Sequence, residues 1–482
     1  MTPRVSAAGR LLAAVVAVAA VAVFGVLVRP TAHAARVPHT GLAPAVTNSF
    51  VCPSLTGGPS LSTTDMTVAA FGPTQRLKVS YSPLLPVKGK TVGLTPKPAA
   101  NVHQTTPYAP VVVNATGDGA GQMAVSQLGM TPVGQRRALT DLACYPPATD
   151  TWFAGADGRI GVKDILLLAN PSDTAANVAL SLWSSRGPLN PPGTSGITVP
   201  AHTAITRVIS DLAPDQAGIT VHVHANSGTV AASLLDEHTS GIRPVGVDWM
   251  PPTTPPATVN VVTGYASGAA MDLLELGNPG DRDATVTLRV ITPTKNFQPA
   301  GHQTVVVPAG HTVTVDLAAS IAGEVAAVSA TSDVPVVTEG MTLVRPSTGF
   351  SELAWMPAQR ALKTPAGIAA NVPPFGQQVS LVLTAPGSAE KVRVSVPRGA
   401  SSTISVPAGR TISVDLAALL HAGGSGPGPV MITPLSGPGV YVERFLHASG
   451  AHGPLLGAEV PTVFTLPTTL PAVVPDLRAA TP

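Results

Sequence analysis

The chain reads as all-β: tandem immunoglobulin-like β-sandwich modules behind an N-terminal export or transmembrane segment. Two observations carry that expectation. First, the chain repeats itself. Its segments end alike at Cys144-Tyr145-Pro146-Pro147, Trp249-Met250-Pro251-Pro252, Trp355-Met356-Pro357 and, more loosely, Phe464-Thr465-Leu466-Pro467. Second, between these endings apolar and polar residues alternate with the period of two that a half-buried strand requires. Composition agrees. The 482 residues include 50 Pro and 46 Gly, which break helices and populate turns, while 44% hydrophobic residues suffice for a core.

Three internal anchors recur in one order. Ile165-Leu166-Leu167-Leu168-Ala169-Asn170-Pro171 matches Leu273-Leu274-Glu275-Leu276-Gly277-Asn278-Pro279, and then Val379-Ser380-Leu381-Val382-Leu383-Thr384-Ala385-Pro386. Val199-Pro200-Ala201-His202 matches Val307-Pro308-Ala309-Gly310 and Val406-Pro407-Ala408-Gly409. Asp211-Leu212-Ala213 matches Asp316-Leu317-Ala318 and Asp415-Leu416-Ala417. The period, 108 positions from Pro171 to Pro279 and 107 from there to Pro386, is that of whole domains and not of solenoid repeats.

Taken in order, residues 1–34 come first, with eighteen apolar or Gly residues from Leu11 to Val28 preceded by Arg4 and Arg10. That run is long enough for a retained single-pass anchor, yet Ala32-His33-Ala34 also offers a signal-peptidase site. Both alternatives place the remainder outside the cytoplasm, membrane-anchored through residues 11–28 or secreted after cleavage at Ala34. Residues 46–147 form a divergent β module that matches the others mainly in its second half. Cys52 and Cys144 sit just inside its two ends and are the only cysteines. In an oxidising compartment they would form a disulfide worth about 4–5 kcal/mol by loop-closure entropy; two separate buried thiols are the alternative. Modules follow at 148–251, 258–357 and 367–467.

About seven strands are expected in each copy. Thr285-Val286-Thr287-Leu288-Arg289-Val290 places Val286, Leu288 and Val290 on one face, and Ile412, Val414 and Leu416 do the same in the last copy. Asn-Pro supplies a turn that closes a strand, and the Asp-Leu-Ala positions suit a short helical turn across one end of the sandwich. Linkers at Pro147–Asp150, Pro251–Ala257 and Gln359–Ala366 are short and mostly Pro-containing, which suggests a semi-rigid rod. Trp152, Trp249 and Trp355, at module boundaries, are expected to pack between neighbours. Trp183 has no aromatic counterpart in the other copies and reads as a strand aromatic, with stacking on a sugar ring as the functional alternative.

No G-x-S-x-G, H-E-x-x-H or P-loop motif occurs. The best metal candidate is His222-Val223-His224, with His238 downstream, but no other copy carries such a pair, so a solvent-facing strand edge is expected. Asp281-Arg282-Asp283 falls in a turn where polar residues belong anyway. Gly423 to Gly428 has no following helix to cradle a phosphate, and Glu339 and Glu443 belong to different copies. No catalytic, cofactor or metal set is therefore expected. Without residues 1–34 the chain carries 25 basic and 26 acidic residues and no basic cluster with interleaved aromatics, which argues against nucleic acid.

Val51-Cys52-Pro53, then Cys144 through Asp150-Thr151-Trp152-Phe153-Ala154-Gly155, with the repeated Asn-Pro and Val-Pro-Ala-Gly runs, resembles an uncharacterised family of exported, repeat-containing actinobacterial proteins of unknown function. The resemblance carries no catalytic residues. It implies a gene neighbourhood that includes a large membrane glycosyltransferase. The expectation is thus a non-catalytic extracytoplasmic scaffold or accessory protein of the cell envelope that assists such an envelope partner. The alternative is a cell-wall glycan-binding or adhesion protein.

Overall fold

The computed structural model describes residues 42–469 except 44–46, 55–62, 87–88, 105–108, 267, 370–377, 398, 417, 419–428 and 466–467. The apolar run from Leu11 to Val28 and the glycines of 423–428 lie outside the described residues. Among the described residues no helix is long and apolar enough to cross a membrane. Leu42–Ala43 and Thr468–Thr469 pair antiparallel in a unit of their own. All the sandwiches belong to a second unit, Pro44–Pro467.

The protein is all-β, and the alternation read from the sequence is the burial pattern observed. Val286, Leu288 and Val290 are fully buried in strand Ala284–Ile291. Each such side chain contributes roughly 1.5–3 kcal/mol relative to an exposed one. Ala176–Ser184 alternates in the same way in the second module. The Asn-Pro turns act through the Asn side chain. Asn170 Nδ2 donates to Thr174 O (2.8 Å) and Val199 O (2.9 Å), and Asn278 Nδ2 to Arg282 O (2.7 Å) and Val307 O (3.0 Å). One buried amide thus ties the turn to the neighbouring Val-Pro-Ala element. The residue after that element takes positive φ in all three copies: 72° at Gly310, 66° at Gly409 and 52° at His202.

Four sandwiches share one strand order. In the second module the front sheet runs Asp150–Ala156, Ile219–Ser227, Ala176–Ser184 and Gly187–Leu189, with Ile197–Val199 also on Ala176–Ser184. Its back sheet runs Thr203–Val208, Ile165–Asn170, Ala231–Ser240 and Arg243–Met250. Counting Gly187–Leu189 and Ile197–Val199, which both pair with Ala176–Ser184, as one fourth position, the first strand lies beside the sixth, the sixth beside the third and the third beside the fourth; behind them the order is fifth, second, seventh, eighth. The architecture is that of immunoglobulin-like sandwiches, and the weave is its own, since the first strand does not lie beside the second. The module beginning at Thr47–Cys52 repeats this order completely, ending with Met123–Thr131 and Ala138–Ala143. Its missing sequence anchors therefore reflect changed turns and not a changed fold. The disulfide between Cys52 and Cys144 joins its first strand to the residue after its eighth.

In the third module the sixth and seventh strands are continuous as Ala326–Val344, which passes from the front sheet to the back around Pro335. The last module runs from Ala366–Ile368 to Gly453–Glu459, with Thr462–Val463 added beside its first strand. Among the described residues each module has eight strand positions against the seven expected, the fourth being split in two in the second and third modules, where one piece is as short as Asn296–Phe297, too brief to show alternation.

The modules do not form a rod. The four eighth strands, Ala138–Ala143, Arg243–Met250, Glu352–Gln359 and Gly453–Glu459, pack in succession, and the last packs back on the first. The row closes into a ring. Glu352–Gln359 is buried at every position, which one sheet face cannot achieve; neighbours cover it on both sides. The cores run on accordingly. Met341, Leu343, Leu353 and Trp355 of the third module join the core of the second, and Phe445, Leu456 and Ala458 of the fourth join that of the third. Leu139 of the first module enters the core of the fourth and closes the circle.

The boundary tryptophans lie in these seams. Trp249 packs with Ala138 and Leu142 of the first module. Trp355 donates from its backbone N to Asp248 Oδ2 (3.0 Å) and from Nε1 to Asp236 Oδ2 (2.7 Å), both in the second module. Gly155 completes that seam. Its φ is +113°, and a Cβ there would stand 2.6 Å from Trp355 Cη2 and 2.7 Å from Glu275 Cγ. Gly155→Ala should therefore cost about 2–4 kcal/mol through strain and overpacking, seen as a lower urea midpoint. A midpoint within error of the unsubstituted protein would contradict the close approach.

Candidate functional site

The eighth strands of the back sheets pack on each other, while the front sheets keep solvent-facing positions beside the seams. The second module carries the most distinctive set. His222 and His224 lie two apart on the central strand Ile219–Ser227 and share a face. The first strand runs antiparallel beside it, placing Asp150 opposite His224 and Trp152 opposite His222. Asp150 Oδ1 bridges the two rings, 3.0 Å from His222 Nε2 and 2.8 Å from His224 Nδ1.

Trp152 fixes the arrangement from one side. Its ring stacks on His222 at 3.8 Å with 7° between planes, and Trp183 stacks on Trp152 at 5.8 Å. Trp152 and Trp183 also pack with Ala154 and with Val337 of the third module, so the stack begins at a module seam and ends at the surface. Ser181 of the third strand lies opposite His222 on the ladder. Burial lowers the pKa of His222, against the pull of Asp150, which keeps its imidazole neutral near pH 7. The hydrogen bond to His224 holds the Asp150 carboxyl below its ordinary range. The face thus combines neutral imidazole nitrogen, carboxylate oxygen and an aromatic platform.

Sequence reading located His222 and His224 but not their partner. Asp150 stands 72 and 74 positions away, in a stretch read as linker, and only the strand pairing brings it in. His238 does not join. Its Nε2 lies 2.7 Å from Asp236 Oδ1, at the seam with Trp355. Glu339 and Glu443 stay in separate modules. Glu339 Oε2 accepts from the Ala154 backbone N at 2.8 Å and Glu443 Oε2 from Gln359 Nε2 at 2.9 Å, so each reaches into the preceding module. Asp283 accepts from the Ala309 backbone N at 2.9 Å, a turn contact. A cavity of about 670 Å³ opens between the first and second modules beside Arg136, Lys163 and Glu237, but Arg136 Nε is already bonded to Glu237 at 2.9 Å.

A family model described as a family of unknown function (DUF5719) matches residues 98–420, well over half of the chain. The chain belongs to that family. No curated protein matches it. The DUF5719 match takes in the whole of the second and third modules, and with them Asp150, His222, His224 and the Trp355 seam.

Proposed function

We propose that this DUF5719 chain is a non-catalytic extracytoplasmic scaffold or accessory protein of the cell envelope, one that assists a membrane partner such as a glycosyltransferase. One observation carries the reading: four copies of a sandwich closed into a single unit by packed seams. Packed seams hold the four sandwiches in fixed relation, which suits simultaneous contacts with a large partner. The export segment read at residues 11–28 and the disulfide support a location outside the cytoplasm. The test is recovery of the full-length protein from detergent-solubilised native envelopes with mass spectrometry of what accompanies it. One reproducible, stoichiometric membrane protein is the expected result.

A second reading, cell-wall glycan binding, is favoured by Trp183, which is half-buried and stacks on Trp152 beside the His222 ring. Recovery of wall polymer with no stoichiometric protein would replace the first reading with this one.

A further inference from the structure

We propose that Asp150, His222 and His224 form a binding site for a borderline divalent cation of the Zn²⁺ class. The donor atoms all lie within 4.8 Å of one another. At metal–ligand distances of about 2.0–2.2 Å, tetrahedral ligands stand roughly 3.3–3.5 Å apart. The two nitrogen–oxygen separations, 3.0 and 2.8 Å, are already close to that edge length. A cation needs only a small turn of the imidazoles to enter between them. Two imidazoles and one carboxylate select borderline first-row ions over Ca²⁺ and Mg²⁺, which demand oxygen shells.

Two features show more than a surface hydrogen-bonded trio. The first is support. His222 is clamped by Trp152 at 3.8 Å, both histidines sit on the central strand of the sheet, and Thr149 hydrogen-bonds Asp150. The second is that the fold does not need the trio. On the same ladder between first and sixth strands, the first module has Ser49 bonded to Asn114 at 2.6 Å, and the third has Val259 opposite Thr331. Both fold with the same strand order. Side-chain exposure falls from 45% at His224 and 44% at Asp150 to 17% at His222, so the site is open on one side. Three protein ligands therefore leave at least one coordination position to water or to an oxygen of whatever docks on this face.

The test is titration of the untagged full-length chain with ZnCl₂ near pH 7, by calorimetry, with CoCl₂ absorption as an independent reading of ligand geometry. One saturable site per chain is expected. Asp150→Asn and His224→Ala should each weaken it at least tenfold, since even outer-shell changes at metal sites cost that much. Both residues are exposed, so these variants are expected to keep the unmodified far-UV spectrum and melting point. His222→Ala should also abolish binding, but it removes the Trp152 stack and is read only beside the other two. Absence of a saturable site overturns the proposal. So does Zn²⁺ binding that survives both Asp150→Asn and His224→Ala, because the ion would then be held elsewhere. Neither result touches the scaffold reading, which is tested by envelope recovery.

Discussion

Replacing Arg444 by Met should destabilise the protein by about 3–5 kcal/mol and loosen the seam between the fourth and first modules. Arg444 is 1% exposed and bonds two buried carboxyls: Asp141 of the first module, through Nε at 3.1 Å and through Nη2, and Glu459, through Nη2. Ser126 Oγ of the first module adds a bond to Glu459 Oε1 at 2.5 Å and accepts one from the Ala369 backbone N at 3.1 Å. Burial works against the Arg444 cation, but Asp141 and Glu459 outweigh it and hold its proton. Burial, and then the Asp141 charge, push Glu459 up to about 8 against the pull of Arg444. Burial raises Asp141 as well, against the pull of Arg444, so one buried cation serves two carboxyls that burial drives toward protonation.

Removing the guanidinium leaves a carboxylate with no counter-charge in a dry seam, and that loss, not the strength of the pair itself, sets the magnitude. The expected observation is a large drop in urea midpoint for Arg444→Met, with early exposure of the first module to proteolysis. Adding Asp141→Asn and Glu459→Gln to the same chain should recover part of the loss, because the uncompensated charge is gone. A single-variant midpoint within about 1 kcal/mol of the parent would mean that the trio does not hold the ring closed.

What could be read from the sequence and what could not divide along the range of the interaction. Val286, Leu288 and Val290 announce their strand because period two is a local property, and Asn170 and Asn278 announce their turns because an Asn side chain acts within a few residues. The closure of the ring has no such signature. Arg444 meets Asp141 from 303 positions away, and the two strands concerned would look the same in an open rod. A hint was present in the charges themselves. Glu339, Glu443 and Arg444 interrupt strands that are otherwise apolar, and charged residues in such runs ask for buried partners. The metal-type trio was half legible for the same reason. His222 and His224 are neighbours on one strand, whereas Asp150 joins only through a ladder whose register no local pattern prints.

The second large effect is an inverted dependence of stability on pH. Burial raises the carboxyl pKa of Asp272 and Glu275 to about 7 and that of Glu459 to about 8. The hydrogen bonds from Thr342 to Asp272 and from Thr314 to Glu275, both 2.8 Å, oppose the shift without cancelling it. Burial drives Asp248, Glu339 and Glu443 in the same direction. In the unfolded chain these groups titrate near pH 4. Between about pH 4 and their folded pKa the folded protein therefore holds more protons than the unfolded one, and stability must fall as pH rises. Each group contributes a slope of about 1.4 kcal/mol per pH unit inside its window. The full contribution is present below about pH 4 and is lost as pH rises through 7 to 8. Asp150, held down by the His224 hydrogen bond, and Asp236, where burial is outweighed by His238, Asp164 and Trp355 together, have the opposite sign, but they act below their ordinary range. From pH 5 to pH 8 His222, lowered by burial, opposes the raised carboxyls, while His238, which burial lowers but Asp236 raises overall, adds to them, so the raised groups set the sign. The melting temperature should drop by on the order of 10 °C across that interval, measured by calorimetry at constant ionic strength. Glu275→Gln keeps an acceptor for Thr314 and cannot ionise, so its profile should be shallower by one proton between pH 5 and pH 7. A melting temperature that climbs from pH 5 to pH 8 would show that these carboxyls are ionised and solvated in the folded chain, and that water reaches the seams described as dry.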